Sequence, residues 1–281
     1  MTWRRLCSVA ALTLCLAGVC GCDSRPRIRL ATTTSVENSG LLAAVLPAFE
    51  QAHHVRIDAL PIGSGRALGL LRRGDAAAAL THDPRAEAAA LEAGVITGYR
   101  KIMFNSFLIV GPPADPAGVG QASGIVDALQ RIVDGRAGFV SRGDASGTYA
   151  REQELWALAG RRPSREKLLE TGQGMAATLR VASEHGAYTL TDGATFEQLR
   201  SGLALTSVCA RGPELVNTYA IFERTGLAGA EQAVVSALTD WLAEGDGRRR
   251  VAGFLINGRS VFHVWPAGVP RDQPGHRPHV R

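Results

Sequence analysis

Phe139-Val140-Ser141-Arg142-Gly143-Asp144-Ala145-Ser146-Gly147-Thr148 decides how this chain is read. An apolar run ends in a polar, glycine-punctuated loop, and a helix-like segment begins at about Ser146. The first N–H groups of such a helix have no intrahelical partner, and its end carries a partial positive charge. Hydroxyls and one guanidinium stand beside them, so the guest this chemistry suits is an oxyanion. A cage for an oxyanion needs a second half, and the flanking sequence holds candidates for it.

Toward the N-terminus, residues 27–31 alternate polar and apolar, as a half-buried strand does. They run into Thr32-Thr33-Thr34-Ser35, consecutive hydroxyl residues. The next helix carries Leu41, Leu42, Val45, Leu46 and Phe49 on one stripe, and Pro47 is expected to kink it or end it early. A second alternating strand at 55–60 leads to Gly63-Ser64-Gly65 and a helix over 66–73, closed by Gly74-Asp75. Residues 76–80 read as a small-residue buried strand. Strand, loop and helix in repetition predict an α/β fold, a largely parallel sheet with helices on both faces. Ligands in such sheets bind at the carboxyl ends of the strands, where the polar loops sit.

Further on, a short helix is expected at 87–92 and a β-rich run at 99–110. Gly111-Pro112-Pro113-Ala114-Asp115-Pro116 then breaks the chain and reads as the exit from a first lobe. Helices are expected at 124–134 and 150–159, with a charged linker and the start of a helix at 161–167. Glu170-Thr171-Gly172-Gln173-Gly174-Met175 is another polar loop opening a helix, 176–184, and residues 187–191 form a strand. A second extended crossing is expected at 215–222 and an amphipathic helix at 230–242. Residues 266–281, rich in Pro, Gly, His and Arg, read as a disordered tail. The lobes are thus expected at 27–111 with 213–265, and at 112–212.

Composition narrows the function classes. The chain has 281 residues, 46% hydrophobic and 20% charged, enough for a large core or two lobes. The net charge of +5 is almost all arginine, since lysine occurs only at 101 and 167. The arginines are scattered and aromatics make up 6%, so no basic stripe with interleaved aromatics points to nucleic acid. Cys7, Cys15, Cys20 and Cys22 lie in or at the end of a leader, leaving Cys209 alone in the body. That excludes an intrachain disulfide framework and a CxxC metal site there, and no metal is expected on Cys or His ligands.

The N-terminus has a signal-peptide pattern: Trp3-Arg4-Arg5, a short apolar centre, then Cys20-Gly21-Cys22. Residues 1–22 resemble a bacterial lipoprotein leader, with Cys22 (or Cys20) as the lipidated residue and an exported, membrane-anchored protein as the consequence. A plain secretory signal is the alternative.

Polar loops therefore stand at four strand-to-helix junctions, two before the Pro-rich break and two after it. This arrangement suits two lobes closing on one ligand. Hydroxyls and backbone N–H groups donate hydrogen bonds from many directions around a tetrahedral oxyanion, and Arg142 adds a charge-assisted one. Asp144, two residues away, suits an ion pair that braces the guanidinium.

The same stretches resemble the tungstate-binding proteins of ABC importers, a family of two-lobed periplasmic-type binding proteins. The resemblance rests on Thr32–Ser35 with Ser39-Gly40-Leu41-Leu42, Leu46-Pro47-Ala48-Phe49-Glu50, Asn105 with Ile109-Val110-Gly111-Pro112, and the opening stretch. Glu152, Leu155-Trp156, residues 170–175, Ala187-Tyr188-Thr189-Leu190 and Asn217 with Tyr219 extend it over residues 30–262. It implies a type II fold, each lobe a mixed, largely parallel sheet flanked by helices, with the ligand in the cleft. It also implies that Thr33, Thr34, Ser35, Ser64 and Gly65 hold the anion from one lobe. Arg142, Ser146, Gly147 and Thr148 would hold it from the other, with Gly174 and Met175 lining the site. The implied partner is an ABC permease, and the implied protein is a monomer without cofactor or catalysis. Ser64 stands where the family usually has Thr, and Gly193 follows Asp192 where it usually has Arg, which removes a charge near the cleft.

Molybdate and phosphate are the alternative ligands. Tungstate at neutral pH is a dianion that wants only donors, whereas hydrogen phosphate wants an acceptor too. Asp144 or Glu37 could supply one. A different class of reading, a secreted serine hydrolase using Ser146, lacks the Gly-x-Ser-x-Gly pattern, since Asp144 and Thr148 stand where glycines should be.

Overall fold

The computed structural model describes residues 25–209 and 212–274. The leader with both candidate lipidation cysteines, and the tail beyond 274, lie outside the described residues. The chain opens with β1 (Arg27–Thr32), α1 (Thr34–Asn38), α2 (Leu41–His53), β2 (Arg56–Pro61), α3 (Ser64–Arg73), β3 (Ala78–Thr81) and α4 (Pro84–Glu92). The long β4 (Ile96–Gly111) leads out to α5 (Ile125–Asp134), β5 (Phe139–Ser141), α6 (Gly147–Ala159) and β6 (Leu168–Glu170). α7 (Met175–Glu184), β7 (Thr189–Asp192), α8 (Gly193–Leu199) and β8 (Thr206–Cys209) follow. β9 (Val216–Arg224) returns, and α9 (Gly229–Ala243), α10 (Asp246–Gly253), β10 (Leu255–Ile256), β11 (Arg259–Ser260) and β12 (His263–Val264) complete the described elements.

The main path of the sheet runs β12-β4-β9-β3-β1-β2. β1 is parallel to both β2 and β3, and β9 lies antiparallel between β3 and β4. β4 belongs to two halves: up to Ser106 it pairs with β9, and from Phe107 onward it pairs with β7 and β8. In the second half β5 is parallel to β6 and touches Tyr188 in a parallel bridge. The parallel pairs thus lie within each half, and the two crossing strands add the antiparallel ones of the main sheet; β10 and β11 form a separate antiparallel pair.

Period-two alternation explains the layering. Leu30, Ala78, Leu80 and Ile221 face the side covered by α2 and α9, with Leu42, Phe49 and Leu238. Their neighbours Ala31, Ala79, Ala220 and Phe222 face Leu68 and Leu71 of α3 and Ala90 of α4. In the second half Phe139 packs with α5 and α6, while Val140 packs with Met175 and Leu179 of α7.

Several expectations are corrected. α2 does not stop at Pro47 but runs to His53. Pro47 lies on the exposed face, so the Ala43 carbonyl it frees can reach water while the buried stripe holds the helix. The 161–167 stretch starts no helix and leads into β6. The change of partner falls inside β4 between Ser106 and Phe107, ahead of the Pro-rich break. That break is instead tied down: Tyr188 Oη donates to Asp115 Oδ1 at 2.7 Å and accepts from the Ala117 N–H at 3.0 Å.

The tail is also ordered as far as it is described. Fully buried Trp265 donates from Nε1 to the Val269 carbonyl, Lys101 N–H donates to the Arg271 carbonyl at 2.7 Å, and Arg271 pairs with Glu244. Aromatic anchoring and backbone pairing outweigh the disorder that Pro, Gly and charge suggested.

Candidate functional site

The polar loops sit at neighbouring strand ends. β1 ends at Thr32 opposite Pro61 of β2 and Leu80 of β3, so the loops at 33–35 and 63–65 and the residue after β3 leave the sheet side by side. Thr33 caps α1, and its hydroxyl lies 3.1 Å from that of buried Ser35; Thr34 is half-buried. Gly63 is the extended cap of α3, which makes Ser64 the first residue of that helix. Ser64 is 1% exposed, and its hydroxyl has no protein partner among the described residues, whereas Gly65 is exposed.

The second half answers with a charge. Arg142 follows β5, and its Nη2 donates to Asp144 Oδ2 at 2.5 Å, while Asp144 Oδ1 accepts from the Ser146 N–H. The guanidinium is buried, and its Nε–H has no protein partner among the described residues. Ser146 caps α6 by accepting from the Tyr149 N–H at 3.1 Å. Gly147 and Thr148, both buried, then occupy the first helical turn, where N–H groups lack intrahelical partners. The loop before α7 is bonded to this one: Thr171 and Gly172 N–H groups donate to the carbonyls of Ser141 and Arg142. Gly174 caps α7 and is exposed, but the Met175 side chain is buried among Val110, Val140 and Leu179. Met175 is therefore a core residue that can offer only its backbone N–H.

The halves meet closely. A Cβ placed on Gly63 would lie 3.2 Å from the Ala145 carbonyl oxygen. One placed on Gly147 would lie 2.8 Å from Cε1 and 3.0 Å from Nδ1 of His82. The loops at 63–65 and 142–148 thus face each other, with Ser64 and Arg142 each holding an uncommitted buried donor. Hydrogen bonds to such donors are what a buried anion requires.

Groups singled out less sharply by sequence complete the surroundings. Asn217 Nδ2 donates to Asn105 Oδ1 at 2.8 Å and to Tyr219 Oη at 2.9 Å. His82 is buried with its ring centroid 5.0 Å from that of Tyr219. Burial, helped by the Arg142 charge, pushes its imidazole down to about 4, so it is neutral at physiological pH. Asp192, also buried, has its carboxyl pushed up and is held by the N–H and hydroxyl of Thr195. His82 carried no local motif; only contact between distant segments places it here.

Gly193 lies against the Ser106 carbonyl and lines a separate cavity of about 450 Å³ with Arg200, Arg259 and His263. Among the described residues no group of three or more His, Cys, Asp or Glu is placed to hold a metal ion, and no helix is long and apolar enough to cross a membrane.

A two-lobed frame with facing polar loops at strand ends defines a solute-binding class, and residues 23–239 match the model of a PBP superfamily domain. The chain is 35% identical over 250 residues to a putative ABC transporter anion-binding protein of Haloferax volcanii, covering 86% of this chain and 73% of that one. It is 34% identical over 201 residues to tungstate-binding protein TupA of Peptoclostridium acidaminophilum, covering 71% and 70%. The crystal structure of the tungstate ABC transporter from Geobacter sulfurreducens superposes with a TM-score of 0.74 at 33% identity, over 81% of this chain and 98% of that one. The chain belongs to the tungstate-binding family of ABC transporter substrate-binding proteins, within the PBP superfamily.

Proposed function

We propose that this protein captures a tetrahedral oxyanion, tungstate before others, between its two lobes and delivers it to the permease of an ABC importer. The observation that carries the reading is the pair of buried donors without protein partners, Arg142 Nε–H and the Ser64 hydroxyl, one on each facing loop. Thr33, Thr34, Ser35 and Gly65 would complete the cage from the first lobe. Ser146, Gly147, Thr148 and the backbone of Gly174 and Met175 would complete it from the second, with Asp144 as brace. The lobe division follows the partner change in β4, so that 107–212 form the second lobe.

Acceptors are scarce there, which favours a fully deprotonated dianion over hydrogen phosphate. Both Asp144 oxygens are engaged, Glu37 is exposed, and the Nδ1 edge of His82 is turned onto Gly147. The Ser146 hydroxyl is committed to its helix cap, which argues against a nucleophile. Opening and closing of the lobes would follow the population shift that a bridging anion imposes.

Calorimetric titration of the leaderless protein with tungstate, molybdate, sulfate and phosphate tests the reading. Tungstate should bind and phosphate should not compete; phosphate binding best, or no heat with any oxyanion, would overturn it. Anchoring through Cys22 or Cys20 is part of the proposal. Replacing both by Ser should move the exported protein from the membrane to the soluble fraction.

A further inference from the structure

We propose that His82 is the stop that sets how far the lobes close, a positioning residue that bears on the glycine at 147. The inference rests on the oxyanion reading and adds a residue to it that does not touch the anion.

The imidazole is held from several sides. It is 6% exposed, and its ring centroid lies 5.0 Å from that of Tyr219 and 6.3 Å from that of Phe107. Tyr219 is itself fixed by Asn217, which also donates to Asn105, its register partner across β4 and β9. The ring is therefore positioned by both crossing strands, through Phe107 of β4 and Tyr219 of β9. It does not adapt easily to what it meets.

What it meets is Gly147, the first residue of α6. Gly147 has helical backbone with no positive φ, so conformation does not demand glycine there. Space does. A Cβ would lie 2.8 Å from Cε1, 3.0 Å from Nδ1 and 3.3 Å from the carbonyl oxygen of His82, closer than packed atoms tolerate. Gly147 follows directly on the Arg142–Ser146 loop, so any retreat of α6 carries Arg142 away from Ser64. The other close approach, where a Cβ on Gly63 would meet the Ala145 carbonyl oxygen at 3.2 Å, bears on the same loop. Two glycines, one on each lobe, thus let the cage close to a spacing that the His82 ring limits.

The test is a double-mutant cycle read by tungstate titration on Gly147→Ala, His82→Ala and the combined variant. Gly147→Ala should weaken tungstate by about tenfold or more, because the lobes stop short, while in the His82→Ala background it should cost under about threefold. Thermal melting of each ligand-free variant checks folding, and His82→Asn replaces His82→Ala in the cycle if the latter melts early. Gly63→Ala supplies a control, since its obstacle is backbone: its loss should be the same with and without the imidazole. An equal loss from Gly147→Ala in both backgrounds, or no loss in either, overturns the stop while leaving oxyanion binding intact. A wild-type protein that binds no oxyanion overturns the functional reading and the stop together.

Discussion

The ends of β3 and β5 are built alike and finish differently. Thr81 closes β3 and donates its hydroxyl to Glu87 of α4 at 2.6 Å; Ser141 closes β5 and donates to Glu152 of α6 at 2.9 Å. Each carboxyl is buried and pushed up to about 7 by that burial. Each brace is followed at once by the residue that faces the other lobe. After Thr81 it is a neutral imidazole, and after Ser141 a guanidinium. One local device therefore delivers either a contact surface or a charge. The lobe that presents hydroxyls carries no cation toward the cage among its proposed ligands, and the lobe with Arg142 supplies the charge. Affinity should be concentrated in the second lobe, and fit shared between both.

Removing the charge should break this asymmetry most. Arg142→Ala should weaken tungstate by about 3 kcal/mol, roughly two orders of magnitude, because the donor is lost and the Asp144 carboxylate is left facing the anion. Arg142→Lys, which keeps the charge but not the fork, should fall between, and calorimetry orders the three. An Arg142→Ala protein with wild-type affinity would remove the guanidinium from the cage.

The neutral lobe predicts a smaller effect with a different signature. Ser64→Ala should cost about 1 kcal/mol in tungstate binding. It should not lower the melting temperature of the ligand-free protein, since its buried hydroxyl makes no protein hydrogen bond there. A drop in ligand-free stability would show that Ser64 is structural instead.

The two carboxyls give the finest comparison. Their pKa values lie above the ordinary 4.5, so the stability they contribute is full below pH 4.5 and is lost as pH rises through about 7. His82 acts in the opposite sense: lowered from 6.5 to about 4, its contribution is present above pH 6.5 and lost as pH falls through 4. Glu87→Gln and Glu152→Gln should therefore gain stability relative to wild type as pH rises from 4.5 to 7, measured by melting temperature. The two gains should be of similar size, since both carboxyls are pushed from 4.5 to about 7. Glu87 accepts from Thr81, the Asp83 N–H and Tyr99, and Glu152 from Ser141 and Trp156 in the described structure.

Local chemistry made much of this protein legible from its residues in order. Strand alternation, capping residues and glycine-closed helices place β1 through α4 and the loops at 33–35, 63–65 and 142–148. Their signals are short-range properties of backbone and side chain. Misreadings arose where long-range contacts overrode such signals. Pro47 is tolerated because its face is exposed, and the 266–274 segment is held by Trp265 and Lys101.

What the sequence by itself determined is the repeated strand–loop–helix unit and the donor chemistry of its loops, because both follow from residues within a few positions of one another. Only the tertiary structure decided that Asn105 and Asn217, 112 residues apart, would join at a crossing of β4 and β9. It also decided that His82 would bear on Gly147 and that position 193 would face another cavity. The reason is physical: burial and contact are set by how the lobes fold back on each other, and no spacing along one strand or helix encodes them.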